Sequence, residues 1–591
     1  MASKLSSDDL AATEPLLGSI DSPRLSLDEL NEREIAENPT STTQDAQAGV
    51  QKAEAAALVW SKSALYGIFA WIWITFFIIY LQSAINFQLS FTIYSEFAAA
   101  PQVTQSQILS SIIGGVLGLP LSKSLNVWGR AEAMVVFVTL YTLGIVFLAA
   151  CTGPMSFAIG YTIYNVGYGG TYFILNIFVA DTTGLYNRAF AIALTGLPSV
   201  VTSFVAPPIA QAFLTHSSWR WAYGVFAIVI PMTLLPMAAV FMMYQKKAED
   251  MGIFVRPPDT GRSVRQSIMH YFVEFDFIGA LLLTIAMVLM LLPFTLHSKD
   301  EARYTSTKLI AMVVLGFLML PVFVLWELHG LPQKTGKHYI KWDLLKNRTI
   351  LGACLLCGIS FFSFYAWDNY FYYYIEVVYD LSVSRTGYVT SVNGLMSAFW
   401  QVLFGLHIRR TKHFKNACLY LGVPVTMIGA GMLIYFRSSA APLEFMILGQ
   451  LFLGVGWGTL LIGQELAVMA ASDRDGVPLV ISLMGLFGAV FGSVAGAATN
   501  AVYTKVFPAA LLQKLPADTV GDYMAIFMGG PSTQMKYPVG SDTRNAINYA
   551  YSETQKYECI MAAAMIVLAI PAIAVWKDHR VDRQQVKGTV L

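Results

Sequence analysis

The stretch FSFYAWDNYFYYYIEVVYDLSVSRTGY, residues 362–388, sets three acids (Asp368, Glu376 and Asp380) among a dense run of tyrosines and phenylalanines. In water such a segment exposes its rings, and in lipid it strands its carboxylates, so composition has to decide between the two. The chain has 591 residues, 55% of them hydrophobic and 13% charged. Soluble domains carry about 25% charged residues. Half that charge with this apolar content describes a polytopic membrane protein. A net charge of +1 gives no electrostatic basis for binding nucleic acid. The five cysteines are scattered through apolar segments, and the Cys354-x-x-Cys357 pair falls on a predicted span, where it reads as two small buried hydrophobes.

A hydrocarbon layer roughly 30 Å thick needs about 20 apolar residues per helix. Fourteen segments meet that demand: 65–92, 106–122, 133–151, 155–180, 189–214, 221–244, 276–296, 308–328, 350–376, 386–408, 416–436, 444–470, 477–503 and 556–576. The expected fold class is all-α and integral to the membrane. Lys and Arg collect in alternate short loops, which places those loops and both termini in the cytosol. The expected organisation is a disordered cytosolic tail over 1–60, a six-helix bundle over 61–245 and a cytosolic loop over 246–275. Two linker helices with a loop follow over 276–348, then a second six-helix bundle over 349–576 and a tail over 577–591. The second bundle includes a long outer loop, 504–555, whose rings Tyr523, Phe527 and Tyr537 are candidates for capturing a ligand.

An internal repeat supports two equivalent halves. SKSLNVWGR (122–130) follows the second span, and GLHIRRTKHFK (405–415) follows the tenth, its counterpart if the halves flank spans seven and eight. Both are short basic turns at the cytosolic end of a helix. They resemble the turn of the major facilitator superfamily, roughly G-x-x-x-D-x-x-G-R. Gly129 and Arg130 match, Asn126 stands where that family has Asp, and the second copy keeps Gly405 with Arg409 and Arg410. After the fourth span, ADTTGLYNR sets Asp181 seven residues before Arg188. An acid and a base bracketing such a turn can pair in one gate state and separate in the other. Two independent interfacial anchors are the alternative reading.

Longer strings resemble the fungal siderophore–iron transporters, the fourteen-span type of that superfamily: SWRWAYGVFAIVIPM (218–232), FDFIGALLLTIAMVLMLLPFTL (275–296), WDNYFYYYIEVVYDLSVSRTGYV (367–389) and YTKVFPAALLQKLP (503–516). The resemblance covers most of residues 60–580. It implies a fold of two six-helix bundles plus two extra helices, and import of ferric hydroxamates or related chelates with protons by alternating access. It further implies a monomer in the plasma membrane, with an endosomal or vacuolar membrane as the alternative, whose partners are a ferric siderophore, protons and the bilayer, with no cofactor, no resident metal and no enzymatic activity. A proton-coupled exchanger of organic anions, glutathione or drugs is the alternative on the same fold. APPIAQ (206–211) stands where many proton antiporters have G-P-x-x-G-G, which favours symport. One departure stands out. The group's first span usually carries an acid near its middle, whereas here that depth offers Gln82, Asn86 and Gln88, with no carboxylate before Glu96.

A bulky, nearly neutral chelate needs a wide cavity with rings and hydrogen-bond donors, because its iron arrives already ligated. Span four supplies Tyr161, Tyr164, Asn165, Tyr168 and Tyr172 at three- and four-residue steps, one face of a helix. Span nine supplies Tyr365, Tyr372 and Tyr373 on the face that also carries Asp368 and Glu376, and Gln82, Asn86 and Gln464 are further candidates for the lining. A carboxyl inside the membrane must face water, find a partner or take up a proton. Asp368 is the first candidate for proton coupling, Glu465 in GWGTLLIGQEL (456–466) the second, and Glu376 the third. Asp276 and Asp380, at span ends, read as interfacial caps.

Overall fold

Lipid offers the backbone no hydrogen bonds, so every crossing segment must satisfy its own peptide groups as helix. The computed structural model describes residues 48–96, 102–183, 185–253, 263–295, 306–330, 339–340, 342–437, 441–472 and 476–580, and the described residues of each expected span are helical apart from short turns such as Asn369–Tyr370 and Ser391. In chain order the elements are α1 Ala48–Val59, α2 Lys62–Glu96, α3 Gln102–Val127, α4 Arg130–Ala150, α5 Pro154–Thr182, α6 Leu185–Gly196, α7 Pro198–His216 and α8 Trp219–Asp250. There follow α9 Val264–Glu274, α10 Phe277–Thr295, α11 Thr307–His329, α12 Arg348–Asp368, α13 Phe371–Val378, α14 Val383–Thr390 and α15 Val392–Thr411. The last six are α16 Val423–Phe436, α17 Leu443–Ala470, α18 Val477–Lys514, α19 Tyr523–Gln534, α20 Asp542–Ile566 and α21 Ala569–Ala574.

By length and apolarity, ten stretches among the described residues can cross a membrane unaided, and two bent pairs (α9 with α10, α14 with α15) raise the number to 12. The expected count of fourteen exceeds this by α3 and α5. Both are helices, but their Ser, Thr, Asn, Tyr and Gly content keeps them below the apolarity of a span exposed to lipid.

Three boundaries differ from expectation. The region expected as a disordered tail contains α1, and Trp60 after it stacks on Tyr244 at 3.7 Å with its edge toward Phe178. Residues 1–47 and 581–591 of the two expected tails lie outside the described residues. The cytosolic loop is shortened because α8 runs on to Asp250 and α9 begins at Val264. The outer loop 504–555 is mostly helix: α18 continues through Lys514 and α20 starts at Asp542, leaving a compact cap of 515–541 built around α19.

The N-terminal half packs α4 on α5 and α8, and α2 on α7; the C-terminal half packs α12 on α18 and α20, and α15 and α16 on α17. The halves meet chiefly where α3 packs on α18 and α6–α7 on α15, with smaller contacts of α7 with α14 and α6 with α17. At the first pair Gly115 faces Ala489 so closely that an added Cβ would overlap its methyl, the close backbone approach that small residues allow in membranes. The linker helices α10 and α11 pack on each other, and α10 rests on α3. Asp276, as expected for a cap, accepts from Gly279 N at 3.2 Å and also from Trp326 Nε1 at 3.0 Å. Each described chain end is tied to the bundle. The helix α1 bonds to the Trp128–Arg130 turn, while Lys577 N donates to Thr349 Oγ1 at the start of α12.

Candidate substrate cavity

Between the halves lies a cavity of about 660 Å³, within the roughly 300–1,000 Å³ range of small-molecule sites. Helix irregularities surround it. The α6–α7 junction at Gly196–Pro198, the turn at Asn369–Tyr370 between α12 and α13, and the 41° bend at Ser391 all reach its wall. Irregular backbone at membrane depth is tolerated where it lines a cavity.

The N-terminal half contributes neutral groups, among them Tyr80, Tyr172, Thr195, Ser199 and Ser203. The C-terminal half contributes rings (Phe361, Tyr365, Tyr372, Tyr373, Trp457), amides (Asn393, Gln401) and both carboxyls, Asp368 and Glu465. Asp368 closes α12 immediately before the break, and Glu465 projects from α17; both are partly buried, and neither forms an ion pair among the described residues. Glu376, further along on α13, is partly exposed and stands outside the lining. Among the described residues no group of three His, Cys, Asp or Glu side chains is placed to hold a metal ion, and the five cysteines are buried and unbonded.

Several expected lining residues stand behind the wall. Tyr164 and Tyr141 both donate to Gln82 Oε1, at 3.0 and 2.9 Å, and Tyr223 donates to Asn86 Oδ1 at 2.5 Å. Asn165 Nδ2 donates to Ser110 Oγ at 3.1 Å. The rings of Tyr161, Tyr164, Tyr168 and Tyr172 run along α5 with centroids 5.7, 5.9 and 6.3 Å apart, but only Tyr172 reaches the cavity. Gln464 is fully buried and faces away. For Gln82, Asn86, Tyr164 and Asn165 the physical cause is the same. In a low-dielectric bundle, phenols and amides satisfy one another between helices, and the stripe they form need not meet water. The lining residues missed by sequence include Tyr80, Ser199, Ser203 and Trp457, together with Asn393, Ser397 and Gln401 on α15. The last three recur at four-residue steps, a legible polar stripe, and Gln401 Nε2 donates to Ser397 Oγ at 3.1 Å.

At the end of the bundle that α1 joins, charge is buried. Gly129 adopts φ +112°, and a Cβ there would press on Glu132 and Lys52, so only glycine turns the chain here. The turn aims Arg130 inward: Nε donates to Asp181 Oδ2 at 2.9 Å, and Nη1 to the carbonyls of Leu125 and Gly49. Arg188 is also buried and donates to Thr183 O at 3.3 Å. The Asn126 side chain lies outside the described residues. Arg409 and Arg410, in the second copy of the turn, are exposed.

The opposite end carries the cap. Phe527 leans on Tyr503 at 5.6 Å, and Tyr503 stacks at 4.0 Å on Tyr370 of the cavity wall. Tyr523 and Tyr537 pack on the same apolar cluster, not into the cavity. Below the cap sit two buried arginines that the sequence reading overlooked. Arg544 donates to Asp380 Oδ1 at 3.1 Å and to the Val377, Gln534 and Tyr537 carbonyls, which tethers Asp380. Arg437 lies over the Phe371 ring at 4.5 Å and donates to Gln555, which in turn donates to the fully buried Glu558.

Residues 71–497 match the Major Facilitator Superfamily. The chain is 49% identical to "Siderochrome iron transporter 2" of Aspergillus fumigatus across 97% of its own length and 93% of the relative's. To "MFS siderochrome iron transporter 1" of Ajellomyces capsulatus it is 37% identical, over 93% and 92%. Among solved structures it resembles a bacterial homologue of the human lysosomal transporter Spinster, in an inward-facing, unoccupied conformation. The TM-score is 0.52 at 13% identity, over 88% of this chain and 98% of that one, a likeness of fold.

Proposed function

The chain belongs to the Major Facilitator Superfamily and, within it, to the family of the fungal siderophore–iron transporters, and from that premise we propose that it imports ferric siderophores, such as ferric hydroxamates, together with protons. It works by alternating access as a monomer, in the plasma membrane, with both termini in the cytosol. The observation that carries this reading is the cavity between the halves, with two carboxyls on its wall and, among the described residues, no ion pair to hold either. A ferric hydroxamate offers oxygens to the Ser, Thr, Asn and Gln side chains of that wall and apolar edges to its rings. Its iron enters as cargo, already ligated. Asp368 takes a proton while the cavity faces outward and releases it when the halves rock, with Glu465 as the second carrier and Glu376 as an outer entry point.

The gate is assigned to the Arg130–Asp181 pair and Arg188, near Gly129 and Asn126, with Arg409 and Arg410 on the other half. Capture belongs to Tyr523, Phe527 and Tyr537 on the cap. Exchange of an organic anion is the weaker reading. The described lining contains no Lys, Arg or His, so an anion would meet two carboxyls and no cation. Cells lacking their own carriers and expressing this chain, given radiolabelled iron in a panel of chelates, should accumulate at least one ferric hydroxamate. That accumulation should rise as external pH falls and collapse with a protonophore. Accumulation of no chelate, or accumulation indifferent to the protonophore, contradicts the proposal.

A further inference from the structure

The wall beside Asp368 is interrupted. The helix α12 ends on that residue, Asn369 and Tyr370 form a turn (Tyr370 φ −110°, ψ 7°), and α13 resumes at Phe371. A break inside the membrane persists only where neighbours meet its polar groups. Here one helix holds the side chains of both turn residues, through successive residues of its own. Asn369 Nδ2 donates to Thr499 Oγ1 at 2.8 Å, and Tyr370 OH donates to Asn500 Oδ1 at 3.1 Å, both on α18. One turn further along α18, Tyr503 stacks on Tyr370 with its plane only 6° away. Thr499 is itself fixed, because its hydroxyl donates back to Ala495 O at 3.0 Å. Below the break α18 presents Gly488 and Gly492 to α12. A Cβ there would come within 3.0 Å of the Phe361 ring and 2.9 Å of the Tyr365 ring, so these α12 rings lie directly on the bare backbone of α18. Thr499 is fully buried and outside the cavity lining, so it touches no substrate.

We propose that Thr499, acting through Asn369, is a positioning residue for proton transfer: its hydroxyl fixes the break and thereby aims the Asp368 carboxyl into the cavity. This rests on the assignment of Asp368 as proton carrier. Among the described residues, Arg437 beside α16 and the Tyr365 phenol on its own helix act electrostatically on Asp368. The other titratable groups lining the same cavity are Glu465 on α17, Tyr370, Tyr372 and Tyr373 on its own segment, and Tyr80 and Tyr172 of the N-terminal half. Thr499→Val alters none of them. It keeps nearly the same shape and removes the acceptor.

The test is ferric-hydroxamate uptake against external pH in cells expressing the full chain, normalised to the amount in the membrane. Thr499→Ser should keep the wild-type pH midpoint. Thr499→Val should move it by about one unit, the scale of one lost buried hydrogen bond. Asn369→Leu, which removes the donor from the other side, should give the same shift, and the double variant no more than either alone. In an Asp368→Asn background, Thr499→Val should change nothing further. A wild-type midpoint in Thr499→Val and Asn369→Leu, with Asp368→Asn altering the profile, overturns the positioning role and leaves the proton assignment standing. An unaltered profile in Asp368→Asn overturns both.

Discussion

Around one cavity, the two halves of this protein bury polar groups of different kinds. Behind the cavity wall of the N-terminal half they are neutral and mutually satisfied, since Gln82 serves two phenols and Asn86 a third, while that half's buried charges (Arg130 with Asp181, and Arg188) lie outside the cavity lining. In the C-terminal half they are ionisable. Asp368 and Glu465 stand on the wall, and Arg437, Glu558 and Arg544 are sealed behind it. A neutral network costs little to keep and has no reason to rearrange. Carboxyls at membrane depth are costly in their charged form, so their state depends on which side the cavity faces. The contrast also accounts for the missing acid of the first span. Gln82 occupies that depth as scaffold, and the titratable groups are across the cavity.

The largest effect expected from this contrast is on coupling. Asp368→Asn with Glu465→Gln should reduce proton-driven uptake to the level of non-expressing cells, measured as the uptake ratio at two external pH values. Gln82→Leu should leave that ratio intact. Second, the two copies of the basic turn should behave differently. Arg130→Ala leaves Asp181 buried without its partner and should cost about 3–5 kcal/mol in stability, read by thermal unfolding in detergent. Arg409→Ala, at an exposed site, should stay within about 0.5 kcal/mol. Third, Tyr164→Phe removes one bond to Gln82 and should cost about 1 kcal/mol, with an unchanged pH profile. The smallest effect concerns the cap. Phe527→Ala with Tyr523→Ala should weaken capture at low chelate concentration, seen as a higher KM at unchanged maximal rate; an unchanged KM would reduce the cap to a connector.

Apolar run length suffices to place the helices, because lipid leaves the backbone no alternative. It says less about neighbours. The ladder from Tyr161 to Tyr172 follows a helical face, yet nothing in its spacing tells that Tyr164 points at Gln82 and Tyr172 at the cavity. Asp368 and Glu465 were legible because an acid in an apolar run has few bland explanations. Asn393, Ser397 and Gln401 were legible by the same periodicity and were passed over for the aromatic stripes. Arg437 meeting Glu558 through Gln555 was not legible, since three residues on two helices converge only through packing. The cap was obscured for another reason. Its polar, aromatic composition reads as loop, while tertiary contacts with Tyr503 and Phe507 hold it as helix.

The central claim, that protons cross on the C-terminal half while the N-terminal half stays neutral, has one direct measurement. The purified protein is placed in liposomes containing a pH-sensitive dye, and a ferric hydroxamate is added outside. The account predicts substrate-dependent acidification of the lumen with the wild-type chain and with Gln82→Leu, and none with Asp368→Asn plus Glu465→Gln. Acidification that persists in the double variant would contradict it.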